Sequence, residues 1–339
     1  MLRFIDGNGL NASNFFLRRF SMGKRILVAA VIIVAAISFL NVGIAQAKWP
    51  EKPILLMIPW PPGNDPSTII SNAMVADLQQ ELGVPVKVIN KAGGAGVIAT
   101  DELAKSAPDG YTFGLLSVGP VVSQVLMGNT PYKAEDLKPL GMLWSSAFTL
   151  SSNGKLPFKN LKEMSAYGKK NTLKLAHWGL GAVPTLIAMN AAKIGGFTWR
   201  ETSYKDLNAL LLTQGDADVA TLSTVYVRDY AAKGEIRVLA AMLPNRLPDF
   251  PDVPTVAEQG FGEAYSIWFG LFAPAKTPDE ITNRFREVFF KLMQTPKIQE
   301  AIKNTGVVAH PGTPDAAQKQ IAKELKDFGV IMKELNLTK

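Results

Sequence analysis

The chain has 339 residues, with 36 Lys and Arg against 29 Asp and Glu, no cysteine and two histidines. The missing cysteines exclude thiol nucleophiles, disulfides and thiolate metal centres, and His177 and His310 are too far apart in sequence to suggest a histidine metal site. Five basic residues (Arg3, Arg18, Arg19, Lys24, Arg25) precede residue 48 against Asp6 alone, so the formal +7 falls to +3 beyond it (+7 less +4), and no nucleic-acid footprint remains.

Residues 26–40 are an apolar run behind that basic cluster, followed by Ala45-Gln46-Ala47. This is the layout of a secretory signal peptide, residues 1–47, cleaved after Ala47 and implying a periplasmic product, with Met22 as an alternative start. As a membrane anchor the run is short, since a spanning helix needs about 20 apolar residues.

From residue 54 the pattern alternates strand and helix. Residues 54–58 (ILLMI) read as a strand, the loop PWPPGNDPST follows, and residues 68–82 carry helical spacing that ends at Gly83. Residues 85–89 are a second strand, NKAGGAG a loop and 97–106 a helix; PDG at 108–110 turns the chain into a third strand, YTFGLLSV. Such alternation implies a mostly parallel sheet, whose ligands sit at the carboxyl ends of strands. A second unit begins near residue 150. Its expected elements are a strand at 173–176, a loop HWGLGAVPT, a helix to about 194, a helix over 204–215, and strands at 218–222 and 237–242. A proline-rich connector, a strand in YSIWFGLFAP and two amphipathic helices at 278–304 and 313–335 complete the chain.

The strand-end loops carry the chemistry. Asp65 followed by Pro66 is a strong helix start, which capping alone explains. The functional reading is that Gly63 and Asn64 bend the backbone so that N–H groups at a helix start face an anion, with Asp65 turned away and Ser67 or Thr68 donating. NKAGGAG is a second nest of amides. Its Gly94-x-Gly96-x-x-Ala99 is a partial dinucleotide fingerprint, but the next strand ends in Ser117-Val118-Gly119 with no carboxylate for a ribose, which argues against a dehydrogenase. No G-x-S-x-G elbow supports a serine hydrolase. His177, in the loop after a strand, reads equally as a ligand contact or as structure; Trp178 beside it reads first as a face for a planar solute and otherwise as a closer of the loop, and Trp60 reads first as packing.

Taken together, WPEKPILLMIPWPPG, NKAGGAGVIATDELAKSAPDGYT, PDVPTVAEQGF, WFGLFAPAKTP and TGVVAHPGTPDAA, in this order and spacing, resemble the tripartite tricarboxylate transporter family of periplasmic solute receptors, the Bug proteins. The resemblance runs from Trp49 nearly to Asn336. It implies an α/β Venus flytrap of two lobes, each a mostly parallel sheet flanked by helices. Lobe 1 would comprise 48–148 and 262–339, and lobe 2 residues 149–261. The implied activity is non-catalytic and cofactor-free. A monomer would bind a small carboxylate, aliphatic or aromatic, and deliver it to a two-subunit membrane permease. A secreted enzyme acting on a carboxylate and a receptor presenting ligand to a membrane sensor are the alternatives.

On the family pattern one carboxylate lies between the loops at 59–67 and 92–96, completed by the strand end at 117–119 and the loop at 177–185. The candidate contacts are Trp60, Pro62, Gly63, Asn64, Ser67, Gly93, Gly94, Ala95, Gly96, Ser117, Gly119, His177, Trp178, Gly181, Ala182, Thr185 and Asp218. The sequence departs from the pattern at Asn64, which replaces a glycine, and at Ser67, which stands where an aspartate is usual. Gly181, Ala182 and Thr185 occupy the places of a glycine-serine pair and a histidine. Asp218 reads equally as a ligand contact and as a shaper of its strand edge.

Overall fold

The computed structural model describes residues 49–338 apart from Asn64 and Lys205, so the signal-peptide expectation lies outside the described residues. Lys52–Lys339 is one unit containing two sheets. Among the described residues no helix is long and apolar enough to cross a membrane.

β1 (Ile54–Ile58) is apolar on both faces and correspondingly sits inside a sheet, between β2 (Val86–Asn90) and β3 (Thr112–Ser117), with both neighbours parallel. The crossovers are α1 (Pro66–Leu82) and α2 (Val97–Lys105). α1 begins on the Asp65 cap with Pro66 in its first turn, and ends where Gly83, at φ 73°, returns its N–H to the Gln79 carbonyl. A π-helical turn, Gly119–Ser123, follows β3.

The chain then enters β4 (Leu137–Ser146) and passes through Ala147 into β5 (Phe148–Asn153), a strand of the other sheet. That sheet continues with α3 (Leu161–Gly168), β6 (Leu173–His177), α4 (Val183–Gly195), β7 (Trp199–Ser203), the short α5 (Leu210–Thr213), β8 (Val219–Ser223), α6 (Thr224–Ala232) and β9 (Ile236–Ala241). The chain returns as β10 (Trp268–Pro274) and closes with α7 (Asp279–Met293), α8 (Pro296–Asn304), β11 (Val307–Ala309) and α9 (Pro314–Glu334).

The first sheet runs β11-β4-β10-β3-β1-β2 and the second β7-β6-β8-β5-β9. In the first, β1 to β4 share one direction and β10 and β11 oppose them. In the second, β5 alone runs against the other four. The mostly parallel expectation thus describes strand direction, while β10 and β5, wedged between co-directed strands, make their own pairings antiparallel.

Several expected elements shift. The helix expected over 204–215 is reduced to α5, because β7 runs to Ser203 and Ala209 only then starts the turn. The helix expected over 278–304 is two, broken where Pro296 starts α8. β4 is nearly all buried yet contains Pro139 and Gly141, and its register against β10 shifts twice, which masks the alternation that marks a strand. Helices cover the first sheet through contacts such as Phe113 stacked on Phe285 with ring centroids 3.8 Å apart. Burying such a ring contributes about 1.5–3 kcal/mol.

Candidate functional site

Four loops at the carboxyl ends of strands form the candidate site, three from the first sheet and one from the second. The first leaves β1 at Pro59. The Asp65 carboxylate turns into the start of α1, accepting from Thr68 N at 2.9 Å and from Thr68 Oγ1 at 3.2 Å. It therefore caps the helix instead of opposing an incoming anion. Burial pushes its pKa up, against the hydrogen bonds of Thr68 and Ser67. Asn90, the last residue of β2, pins the loop at both ends: its Nδ2 donates to the Trp60 carbonyl at 3.0 Å and to Thr68 Oγ1 at 2.7 Å. Trp60 also holds a buried indole N–H with no partner among the described residues. Ser67 is fully buried, Pro62 and Gly63 are exposed, and Asn64 lies outside the described residues.

The second loop is built of positive φ angles: Gly93 (134°), Gly94 (57°), Ala95 (54°) and Gly96 (92°). Ala95 holds a conformation that non-glycine residues adopt rarely, which is a mark of functional sites. The Gly96 N–H closes the turn on the Gly93 carbonyl at 3.0 Å, so Gly96 shapes the loop. A Cβ added at Gly96 would lie 3.1 Å from Pro120 Cγ and 3.4 Å from Pro59 Cβ. The first three loops therefore meet at Gly96. Lys91 at the mouth of this loop is ion-paired with Glu102.

The third loop begins at Ser117, buried at the end of β3, and continues through Gly119 into the π-helical turn, whose Ser123 hydroxyl is fully buried without a partner among the described residues. Tyr132 anchors this turn by donating to the Pro120 carbonyl at 2.8 Å.

The fourth loop follows β6. His177 corrects the sequence reading: it is the last residue of the strand, fully buried, and not part of the loop. Its Nε2 pairs with the Glu201 carboxylate and its Nδ1 accepts from Gly179 N at 2.9 Å, so both ring nitrogens are engaged inside the protein. Trp178 beside it is 37% exposed. A Cβ added at Gly181 would collide with the Gln124 side-chain amide and lie 2.8 Å from Met127 Sδ, which brings this loop against the turn that follows β3. Ala182 starts α4 with no side-chain cap, leaving the first N–H groups of the helix without a capping side chain. Thr185, in the first turn of α4, is fully buried with its hydroxyl unpartnered among the described residues.

Asp218 fits the second of its two readings, the shaper of a strand edge. Its carboxylate accepts from Lys174 N at 2.8 Å, at the amino ends of β6 and β8, whereas His177 and Thr185 belong to the carboxyl end of β6. At about 3.3 Å per residue the length of the sheet separates them. Asn90 and Gln124 are the structural residues that sequence reasoning missed, although Asn90 is the first residue of the glycine-rich stretch it singled out. Among the described residues no cluster of three or more His, Asp or Glu side chains could hold a metal ion.

Comparison with known proteins gives this geometry a family. The profile of the tripartite tricarboxylate transporter family receptors (TctC) matches residues 70–337. The chain belongs to this family. The TctC receptor is 31% identical to protein BugT of Bordetella pertussis over 321 residues, covering 92% of this chain and 98% of BugT. The solved periplasmic binding protein BugD is 25% identical with a TM-score of 0.70, covering 86% of this chain and 99% of BugD. A Rhodopseudomonas palustris protein, MatC, solved with bound malate, has the same fold at 21% identity and a TM-score of 0.70, covering 84% of this chain and 99% of MatC. The chain is thus a solute-binding receptor of the periplasmic binding fold and not an enzyme.

Proposed function

We propose that this TctC receptor binds one small mono- or dicarboxylate between two closing lobes, 48–148 with 262–339 and 149–261. It then delivers the ligand as a periplasmic monomer, matured after Ala47, to a two-subunit membrane permease. The observation that carries this reading is the meeting of the three first-sheet loops at Gly96, with the fourth loop touching them at Gly181 and Gln124.

One carboxylate is held by main-chain N–H groups of the loops at 59–67 and 93–96, with Ser67, Ser117 and Gly119 at its sides. The uncapped start of α4, with Thr185, receives the other end of the ligand. His177 acts through Gly179 by holding the fourth loop in place. Malate bound to MatC is the kind of ligand such a site accommodates. Trp178, exposed at the rim, offers a planar face and favours an aromatic or otherwise flat carboxylate over a branched one. Hydrogen bonds to a charged group contribute about 1.5–3 kcal/mol each. Four to six of them, less ordering and desolvation costs, leave about 8 kcal/mol, near micromolar affinity. Ligand favours the closed arrangement to the extent that it contacts both lobes.

The test is a melting-temperature screen of the mature protein against aliphatic and aromatic carboxylates, with product formation followed in the same samples. A raised melting temperature without turnover is expected. Turnover, or stabilisation by uncharged solutes alone, overturns the proposal.

A further inference from the structure

The two passages of the chain between the sheets lie side by side. Ser146 N donates to the Ile267 carbonyl at 3.0 Å, and the buried hydroxyls of Ser145 and Ser266 share a hydrogen bond. Next to them α9 carries Glu324, which is 3% exposed. Its Oε2 accepts from Trp268 Nε1 at 2.7 Å and its Oε1 from Gln320 Nε2 at 3.0 Å. Gln320 Oε1 faces His310 Nε2 at 3.2 Å, and His310 N donates to the Leu143 carbonyl at 3.0 Å. This network reaches both passages: Trp268 begins β10 just after Ser266, and Leu143 precedes Ser145 on β4.

The second passage packs against α9 on either side of Glu324, at Lys323 and Phe328. Tyr265 packs edge-on against Phe328 with centroids 4.7 Å apart, and Lys323 Nζ lies 5.5 Å from the Tyr265 ring. Lys323 pairs with Asp327 and, at 3.5 Å, with Glu263. The charged and titratable groups around Glu324 are Lys323 and Asp327 on its own helix, Tyr265 on the passage and, through Gln320, His310 after β11, while Glu263 meets Lys323. Among the described residues no cation forms an ion pair with Glu324. At its far end α9 also holds an element of the second sheet, through Glu334 and Lys193 on α4 at 2.6 Å.

We propose that Glu324 is a proton-operated control on the hinge. Protonated, it holds the passages in the arrangement described; ionised, it favours an arrangement in which residues 263–267 lift and water reaches the carboxylate. Burial pushes its pKa up to about 7, from an ordinary 4.5. A group whose pKa is raised by burial favours the buried arrangement at acid pH. That preference is lost progressively as pH rises from about 4.5 to 7 and changes no further above it.

The absence of native cysteine allows the test to be made on the full chain. Lys87→Cys on the β2 edge and Arg200→Cys on the β7 edge, both exposed, accept spin labels, and the distance between them is measured without ligand from pH 5 to 8. The expected result is a growing long-distance population, its ratio to the short one rising up to tenfold per pH unit and levelling off near pH 7. Glu324→Gln should remove the dependence and keep the acid distribution, whereas His310→Gln should keep it. Trp268→Phe removes a donor to the carboxylate and should move the transition to higher pH, which serves if Glu324→Gln fails to fold. A pH-independent distance, a transition surviving in Glu324→Gln, or one unmoved in Trp268→Phe overturns the proposal.

Discussion

Gly96→Ala tests whether the three loops are held by their meeting point. Two costs add at this position. At φ 92° and ψ −6° an alanine is strained, at about 1–3 kcal/mol. The new Cβ would also sit 3.1 Å and 3.4 Å from the rings of Pro120 and Pro59, which are too rigid to yield freely, and overpacking of this kind costs about 1–3 kcal/mol. Together they amount to about 2–6 kcal/mol. At about 2–4 °C per kcal/mol, melting should fall by about 4–24 °C. Gly63→Ala is the control: its φ is 128°, but among the described residues nothing lies within 4 Å of the added Cβ, so the backbone cost is the one that applies. Calorimetric melting of both variants, with titration of the best-stabilising carboxylate, reads the difference. Gly96→Ala should melt lower than Gly63→Ala and bind at least tenfold more weakly. Equal melting and equal affinity of the two would refute the reasoning.

Asp218→Asn weakens the acceptor for Lys174 N at the amino edge of the second sheet, so it should lower melting slightly and leave the ligand dissociation constant within about twofold by calorimetric titration. His177→Ala leaves the Gly179 N–H without its acceptor and should cost about 1–3 kcal/mol in denaturant unfolding while weakening binding through the displaced loop. Trp178→Ala, at an exposed position, should change unfolding by no more than about 0.5 kcal/mol, yet lower the rank of aromatic carboxylates in a melting screen. Wild-type stability should fall by up to about 3 kcal/mol between pH 4.5 and 7, because the folded chain retains a proton on Glu324 that the unfolded chain has lost; in Glu324→Gln that part of the slope should vanish from denaturant titrations.

The elements of the first sheet were readable where local signals agree. Asp65-Pro66 starts α1, Gly83 stops it, and the apolar runs of β1 and β3 end in glycine-bearing loops. β4 was not readable because Pro139 and Gly141 interrupt its pattern, and its place is set by pairing with β10, more than a hundred residues away in sequence. The same limit applied within the site. The loops at 59–68 and 93–96 announce themselves by composition, whereas the role of His177 depends on Glu201, a partner supplied by the adjacent strand β7. Asp218 was left with two readings for a related reason: a lone aspartate near a strand gives no sign of which end of the sheet it occupies. Asn90 pins two ends of one loop, and neither bond is visible until β1 and β2 are paired in register.

The most direct measurement is an NMR titration of glycine-15N-labelled mature protein with the best-stabilising carboxylate. The account predicts that the amides of Gly63, Gly94 and Gly181 shift together, with one dissociation constant equal to that from calorimetry. Saturation with all three unmoved, while glycines at the amino ends of the strands respond, would contradict it.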